Sequence, residues 1–101
     1  MDWHYCIKVS ELENELITEL EVDGKRLCTL KKDDQVFSFA ATCPHSGARL
    51  CEGWLDIQKR VVCPLHKYRF DPSNGRNTSG EGYKLKTFPV EMRGEEIYVQ
   101  F

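Results

Sequence analysis

Hydrophobic and polar residues alternate with a period of two along most of this sequence, the pattern of strands with one buried face. Leu16, Thr18, Leu20 and Val22 alternate with Ile17, Glu19 and Glu21, and Asp23-Gly24 then supplies a tight hairpin signal. Residues 26–30 read as the returning strand, Lys32-Asp33-Asp34 as the next turn, and residues 36–40 as a β-branched and aromatic strand running into Cys43. Towards the other end, residues 84–88, 90–93 and 97–101 read as strands, with a turn at Arg93-Gly94. In the last of these Ile97, Val99 and Phe101 face one way, and Tyr98 and Gln100 the other. The one helix-like signal, Ser10-Glu11-Leu12-Glu13, fits a capping box but is very short, and a loop accounts for it equally well. Residues 72–82 are rich in Gly, Asn, Ser and Thr and read as a surface loop. The pattern predicts an all-β chain of antiparallel strands with short connections.

Composition narrows the class. The 101 residues make one domain's worth of chain, able to bury roughly two-thirds of its unfolded surface without obligatory staples. Hydrophobic and charged fractions of 41% and 30% are those of an ordinary globular protein. No linker, internal repeat or low-complexity stretch is visible, so residues 1–101 are expected to form one domain. A net charge of −2 argues against bulk nucleic-acid binding. No apolar run approaches the roughly 18 residues needed to cross a bilayer, and Met1-Asp2-Trp3-His4 has no signal-peptide character. The expectation is a cytoplasmic protein with no membrane or nucleic-acid partner. Charge is uneven: residues 1–40 hold nine acids and five bases, residues 41–101 seven acids and nine bases. Either these are solvated faces of a β protein, or Arg49, Lys67 and Arg69 form a mildly basic tip for an acidic partner.

Five cysteines and three histidines are the unusual feature. An odd cysteine count in a cytosolic chain points to metal binding or buried thiols rather than to disulfides. Two motifs stand out, Cys43-Pro44-His45 and Cys63-Pro64-Leu65-His66, separated by 17 residues, each following a strand-like run. The prolines fix φ and remove backbone donors, which suits a rigid ligand loop. Thiolate and imidazole bind zinc and iron alike. Zinc sites usually come with C-x₂₋₄-C knuckles, whereas here each loop brings one cysteine and one histidine. A two-iron cluster can use that set, with both thiolates on one iron and both imidazoles on the other, as in a Rieske centre.

The sequence resembles the Rieske-type ferredoxins. Cys43-Pro44-His45-Ser46-Gly47-Ala48-Arg49-Leu50 is similar to the family's C-x-H-x-G-x-x-L loop, and Cys63-Pro64-Leu65-His66 to its C-P-x-H loop. Phe70-Asp71 with Gly75 resembles F-D-x-x-x-G, and residues 85–90 resemble the closing L-x-x-F-P-V strand. The resemblance implies a Rieske fold, a small antiparallel β-sandwich base with a two-loop cluster-binding tip (about 43–51 and 63–71). It implies one 2Fe-2S cluster, with Cys43 and Cys63 on the buried iron and His45 and His66 on the outer one. High-potential relatives carry an extra cysteine in each loop, joined as a disulfide, and a serine after the second histidine. Those positions here are Ala48, Leu65 and Lys67, so a low potential is expected within the Rieske range.

The remaining candidates are read as packing. Cys51 is expected to fill a small apolar slot beside the first loop, and Cys6 and Cys28 to be core thiols. Tyr68 and Phe70 are expected to pack under the second loop, Trp54 to pack on the connection between the loops, and His4 to have no function. The resulting expectation is a one-electron carrier rather than an enzyme, passing electrons from a flavin reductase to a terminal oxygenase or similar redox protein. Two alternatives stand beside it: a module resembling the small subunit of nitrite reductase, and a zinc-stabilised interaction module.

Overall fold

The computed structural model describes every residue of the 101 except His45, Ser46 and His66. Among the described residues ten strands follow one another: β1 (Trp3–Lys8), β2 (Ile17–Val22), β3 (Lys25–Lys32), β4 (Gln35–Ala40), β5 (Trp54–Leu55), β6 (Val61–Val62), β7 (Arg69–Phe70), β8 (Thr87–Phe88), β9 (Val90–Arg93) and β10 (Glu96–Gln100). They form three antiparallel sheets, ordered β1-β10-β9, β2-β3-β4-β8 and β5-β6-β7. Among the described residues no helix is long and apolar enough to cross a membrane.

The β2–β3 hairpin closes as its sequence predicts. Val22 pairs with Lys25, and Asp23 and Gly24 both have positive φ, at 48° and 82°. That is the type I′ geometry matching the right-handed strand twist. Strand β3 is the middle of the molecule. Leu27, Cys28, Thr29 and Leu30 are all fully buried although they alternate between its two faces. A strand buried on both sides requires a layer on each. Cys28 and Leu30, with Ile17 and Phe39, pack into one core that also holds Cys43, Leu50, Val61, Cys63, Phe70 and Leu85. Leu27, with Val22 and Phe88, packs on the other side against Val99 and Phe101. The sandwich base is therefore the β1-β10-β9 sheet on one face of β2-β3-β4-β8, and the small β5-β6-β7 sheet caps the opposite face.

This layering changes the reading of β2. Ile17 is buried, Glu19 is largely covered and Leu16 is half-exposed. The face carrying Ile17 and Glu19 looks at the capping sheet rather than at water. Strand β10 keeps its predicted alternation, with Ile97 and Val99 buried. The strand expected over 84–88 shrinks to Thr87–Phe88, because Leu85 turns into the core and is held by Gly75, whose carbonyl accepts the Leu85 N–H at 2.8 Å. The capping box does not form: a 3-10 turn covers Val9–Glu11 with Lys8 at its N-cap and no side-chain cap.

Residues 41–85 leave and rejoin the base at one place, where the Ala40 N–H donates to the Lys86 carbonyl at 2.8 Å. Within this excursion Gly75 (φ 76°) accounts for the F-D-x-x-x-G spacing. Its Cα lies so close to the Leu85 backbone that a Cβ would stand 1.9 Å from the Leu85 carbonyl oxygen. The Asp71 carboxylate accepts from the Ser73 N–H and hydroxyl at 2.9 and 2.6 Å, which fixes the turn into that approach.

Candidate metal centre

The capping unit is two hairpins built alike and offset by twenty residues. In the first, the Leu50 N–H donates to Ala41, Thr42 bridges Arg49, and the Cys43 N–H donates to the Ala48 carbonyl at 2.8 Å. In the second, Val61 pairs with Phe70, Val62 with Arg69, and the Cys63 N–H donates to the Tyr68 carbonyl at 2.8 Å. Ala41 and Val61 are buried, as are Leu50 and Phe70. The position four residues after each cysteine is left-handed, filled by Gly47 (φ 72°) and Lys67 (φ 60°). No repeat is visible in the sequence because only Cys-Pro and the arginine recur between the two hairpins.

Each hairpin tip thus delivers one cysteine to the same core cluster. Cys43 is 3% exposed and Cys63 fully buried, both within one core cluster. None of the five cysteines is in a disulfide. His45 and His66, the other two predicted ligands, lie outside the described residues. Among the described residues no group of three or more His, Cys, Asp or Glu side chains is placed to hold a metal. The donor chemistry is compatible with a Rieske set: Cys43 and Cys63 offer two soft sulfur donors from equivalent positions, and in the sequence a histidine follows each of them by two or three residues.

The surroundings are partly as expected. Phe70 is fully buried beneath the cysteines, and Tyr68 packs on the same core and stacks on Tyr83 with ring centroids 6.0 Å apart. Cys28 is a core thiol, pushed up to about 12 by burial and by its neighbours Cys51 and Glu19. Three readings need correction. Cys6 is only half-buried: it sits in a β-bulge between Tyr5 and Ile7, its sulfur 3.7 Å from the Thr29 hydroxyl. Trp54 is 46% exposed, so β5 holds it by its backbone rather than by core packing. Cys51 packs against the core beside the first loop as expected, but its slot is not wholly apolar, because its thiol donates to the Glu19 carboxylate at 3.1 Å.

Glu19 is the residue that sequence patterning missed. Its carboxylate also accepts from Arg49 at 2.6 Å and Arg26 at 2.9 Å, joining β2 to the exit of the first hairpin. The Cys51 and Arg49 hydrogen bonds hold the Glu19 carboxyl below its ordinary range. Burial, then the hydrogen bond to Glu19, pushes the Cys51 thiol up. Arg69, at the position equivalent to Arg49, pairs with Asp56 at 3.4 Å. Two of the three predicted tip bases are thus neutralised by carboxylates.

Comparison with known proteins agrees with this arrangement. The model of the Rieske [2Fe-2S] domain matches residues 2–89. The ferredoxin component of the naphthalene 1,2-dioxygenase system of Pseudomonas aeruginosa is 26% identical over 98 residues, covering 96% of this chain and 93% of that protein. The ferredoxin of carbazole 1,9a-dioxygenase from Nocardioides aromaticivorans IC177 has the same fold, with a TM-score of 0.86 at 27% identity over 94% of this chain and 93% of that one. A structure of the complex of reduced oxygenase and oxidized ferredoxin in carbazole 1,9a-dioxygenase matches with a TM-score of 0.86 at 29% identity, over 96% of this chain and 91% of that one. With its match to the family model over residues 2–89 and two matched hairpins that bury Cys43 and Cys63 in one core cluster, the chain belongs to the Rieske [2Fe-2S] domain family.

Proposed function

We propose that this chain is the ferredoxin component of a multicomponent oxygenase system, a one-electron carrier and not itself an enzyme. It takes electrons from a flavin reductase and gives them to a terminal oxygenase. Residues 1–101 serve as one domain, since the base draws its strands from both ends of the chain around the capping unit. Cys43 and Cys63 hold the buried iron, and His45 and His66 the outer iron, of a single 2Fe-2S cluster. The observation that carries this reading is the equivalence of Cys43 and Cys63 in the two hairpins.

The cluster, when bound, supplies reversible one-electron exchange. The chain's own residues set its surroundings. Leu50 and Phe70, at equivalent positions, wall off the cysteine side from water, and Tyr68 on Tyr83 closes the flank of the second hairpin. Ala48 and Leu65 offer no thiols to bridge the tips, and the exposed Lys67 brings no hydroxyl to the cluster. The potential therefore falls in the lower part of the roughly −150 to +300 mV Rieske range. Cytoplasmic placement fits five cysteines without a disulfide.

Aerobically purified protein is expected to be red-brown, with two irons and two sulfides per chain, and to give on reduction an EPR signal with average g below the free-electron value. Cys43→Ser and Cys63→Ser should abolish the signal. A colourless protein with stoichiometric zinc would overturn the reading in favour of an interaction module.

A further inference from the structure

Beside the first hairpin lies a cleft of about 530 Å³ lined by Glu19, Lys25, Arg26, Arg49 and Lys86 over a floor that includes Ala41 and Phe88. Four cationic side chains thus meet one carboxylate, in a chain whose net charge is −2. Glu19 is already shared by Arg26 and Arg49. Lys25 and Lys86 have no carboxylate partner among the described residues. Both ammonium groups instead converge on the ring of Phe88, 5.3 and 5.6 Å from its centroid, and Lys25 also lies 5.5 Å from the centroid of Phe101. Cation–π contacts hold the two amines over the cleft while leaving their hydrogen-bond donors open.

We propose that this cleft is the docking site for an acidic segment of a protein redox partner. The proposal rests on the electron-carrier reading and names the surface that reading leaves open. Charge complementarity selects the occupant: two unneutralised ammonium groups beside two half-neutralised guanidiniums call for carboxylates. The cleft's size exceeds what one carboxylate or phosphate fills, and its apolar floor suits the stems of Asp or Glu side chains. Its position supplies the consequence. Thr42 and Arg49 both line the cleft and bridge each other across the neck of the Cys43 hairpin. A segment seated there sets its parent protein against the hairpin tips.

The test uses the holoprotein and a fluorophore-labelled, N-acetylated octaglutamate peptide, followed by anisotropy at low and near-physiological salt. Saturable one-to-one binding that weakens with salt is expected. Lys25→Glu/Lys86→Glu should weaken it about tenfold, and Lys25→Gln/Lys86→Gln by a smaller factor in the same direction. Lys8→Glu/Lys31→Glu, which changes net charge as much as the first pair at sites outside the cleft and the ligand hairpins, should change it less than about twofold. Absence of binding, equal loss in the Lys8/Lys31 variant, or displacement by equimolar inorganic phosphate would each overturn the proposal. The EPR signal of the same samples reports separately on the electron-carrier reading: peptide binding lost with the signal intact removes the docking site alone.

Discussion

Gly47 and Lys67 occupy the same position in the two ligand hairpins, four residues after the cysteine, and both are left-handed, at φ 72° and 60°. For glycine this costs nothing sterically, whereas a residue with a Cβ pays roughly 1 kcal/mol. Lys67 is exposed, so Lys67→Gly relieves strain without opening a cavity. It is expected to stabilise the protein by about 0.5–1 kcal/mol, raising Tm by roughly 2–6 °C. Gly47→Lys should move Tm the other way. Thermal melts of the two variants check the equivalence, and a lower Tm for Lys67→Gly would contradict it.

Glu19 ties β2 to the first hairpin through Arg49 and Cys51, and its folded-state pKa is lowered. A lowered acid pKa contributes stability that is complete above the unfolded value, about 4.3, and is lost as pH falls through the folded value. Urea midpoints of the wild type and Glu19→Gln should differ most near neutrality and converge on acidification. A gap that widens at low pH would reverse the assigned sign.

Burial, and after it the same carboxylate, raises the pKa of the Cys51 thiol. Partly buried as it is, Cys51 should alkylate slowly at pH 8, and Glu19→Gln should speed it severalfold by removing the negative charge that opposes ionisation. Mass spectrometry of iodoacetamide-treated protein, read at the Cys51 peptide, measures the two rates.

Gly75 combines a positive φ with a backbone approach that leaves no room for a methyl group. Gly75→Ala is expected to destabilise by about 2–4 kcal/mol, since strain and collision add. At Gly53 a Cβ would stand 2.0 Å from the Val62 carbonyl oxygen, one residue before Cys63. Gly53→Ala should therefore disturb the second hairpin. Iron content per chain, compared with that of Gly75→Ala at matched denaturation, separates a local effect from a global one.

Ser38 is buried in β4, and its hydroxyl has no hydrogen-bond partner among the described residues. An unsatisfied buried hydroxyl costs on the order of 1 kcal/mol. Ser38→Ala should therefore hold or raise the denaturation midpoint, by up to about 1 kcal/mol. A clear fall in the midpoint would show that the hydroxyl is satisfied after all.

Much of the fold was legible because period-2 alternation and Asp23-Gly24 act locally. The cysteines of the site were legible because C-P recurs with a fixed spacing. What stayed hidden depends on contacts distant in sequence. Glu19 reads as the polar side of an amphipathic strand until the capping unit is placed over it. The repeated hairpin is not legible in the sequence because its equivalent positions are filled by different side chains, Gly47 and Lys67, Ala48 and Tyr68, Leu50 and Phe70. Leu85 reads as part of a strand, but Gly75 claims its backbone first.

The hydrogen bond between Ala40 and Lys86, beside the pairing of β4 with β8, makes the ligand-bearing segment a closed loop pinned at its neck. The entropy of closing a flexible loop grows only logarithmically with its length, by about 0.6 kcal/mol for each doubling. The neck fixes the ends of this loop cheaply, and its body is fixed by Leu50, Val61 and Phe70, which share one core with Cys28, Leu30 and Phe39. A change of sequence in the ligand hairpins at those positions is therefore felt in the sheets below.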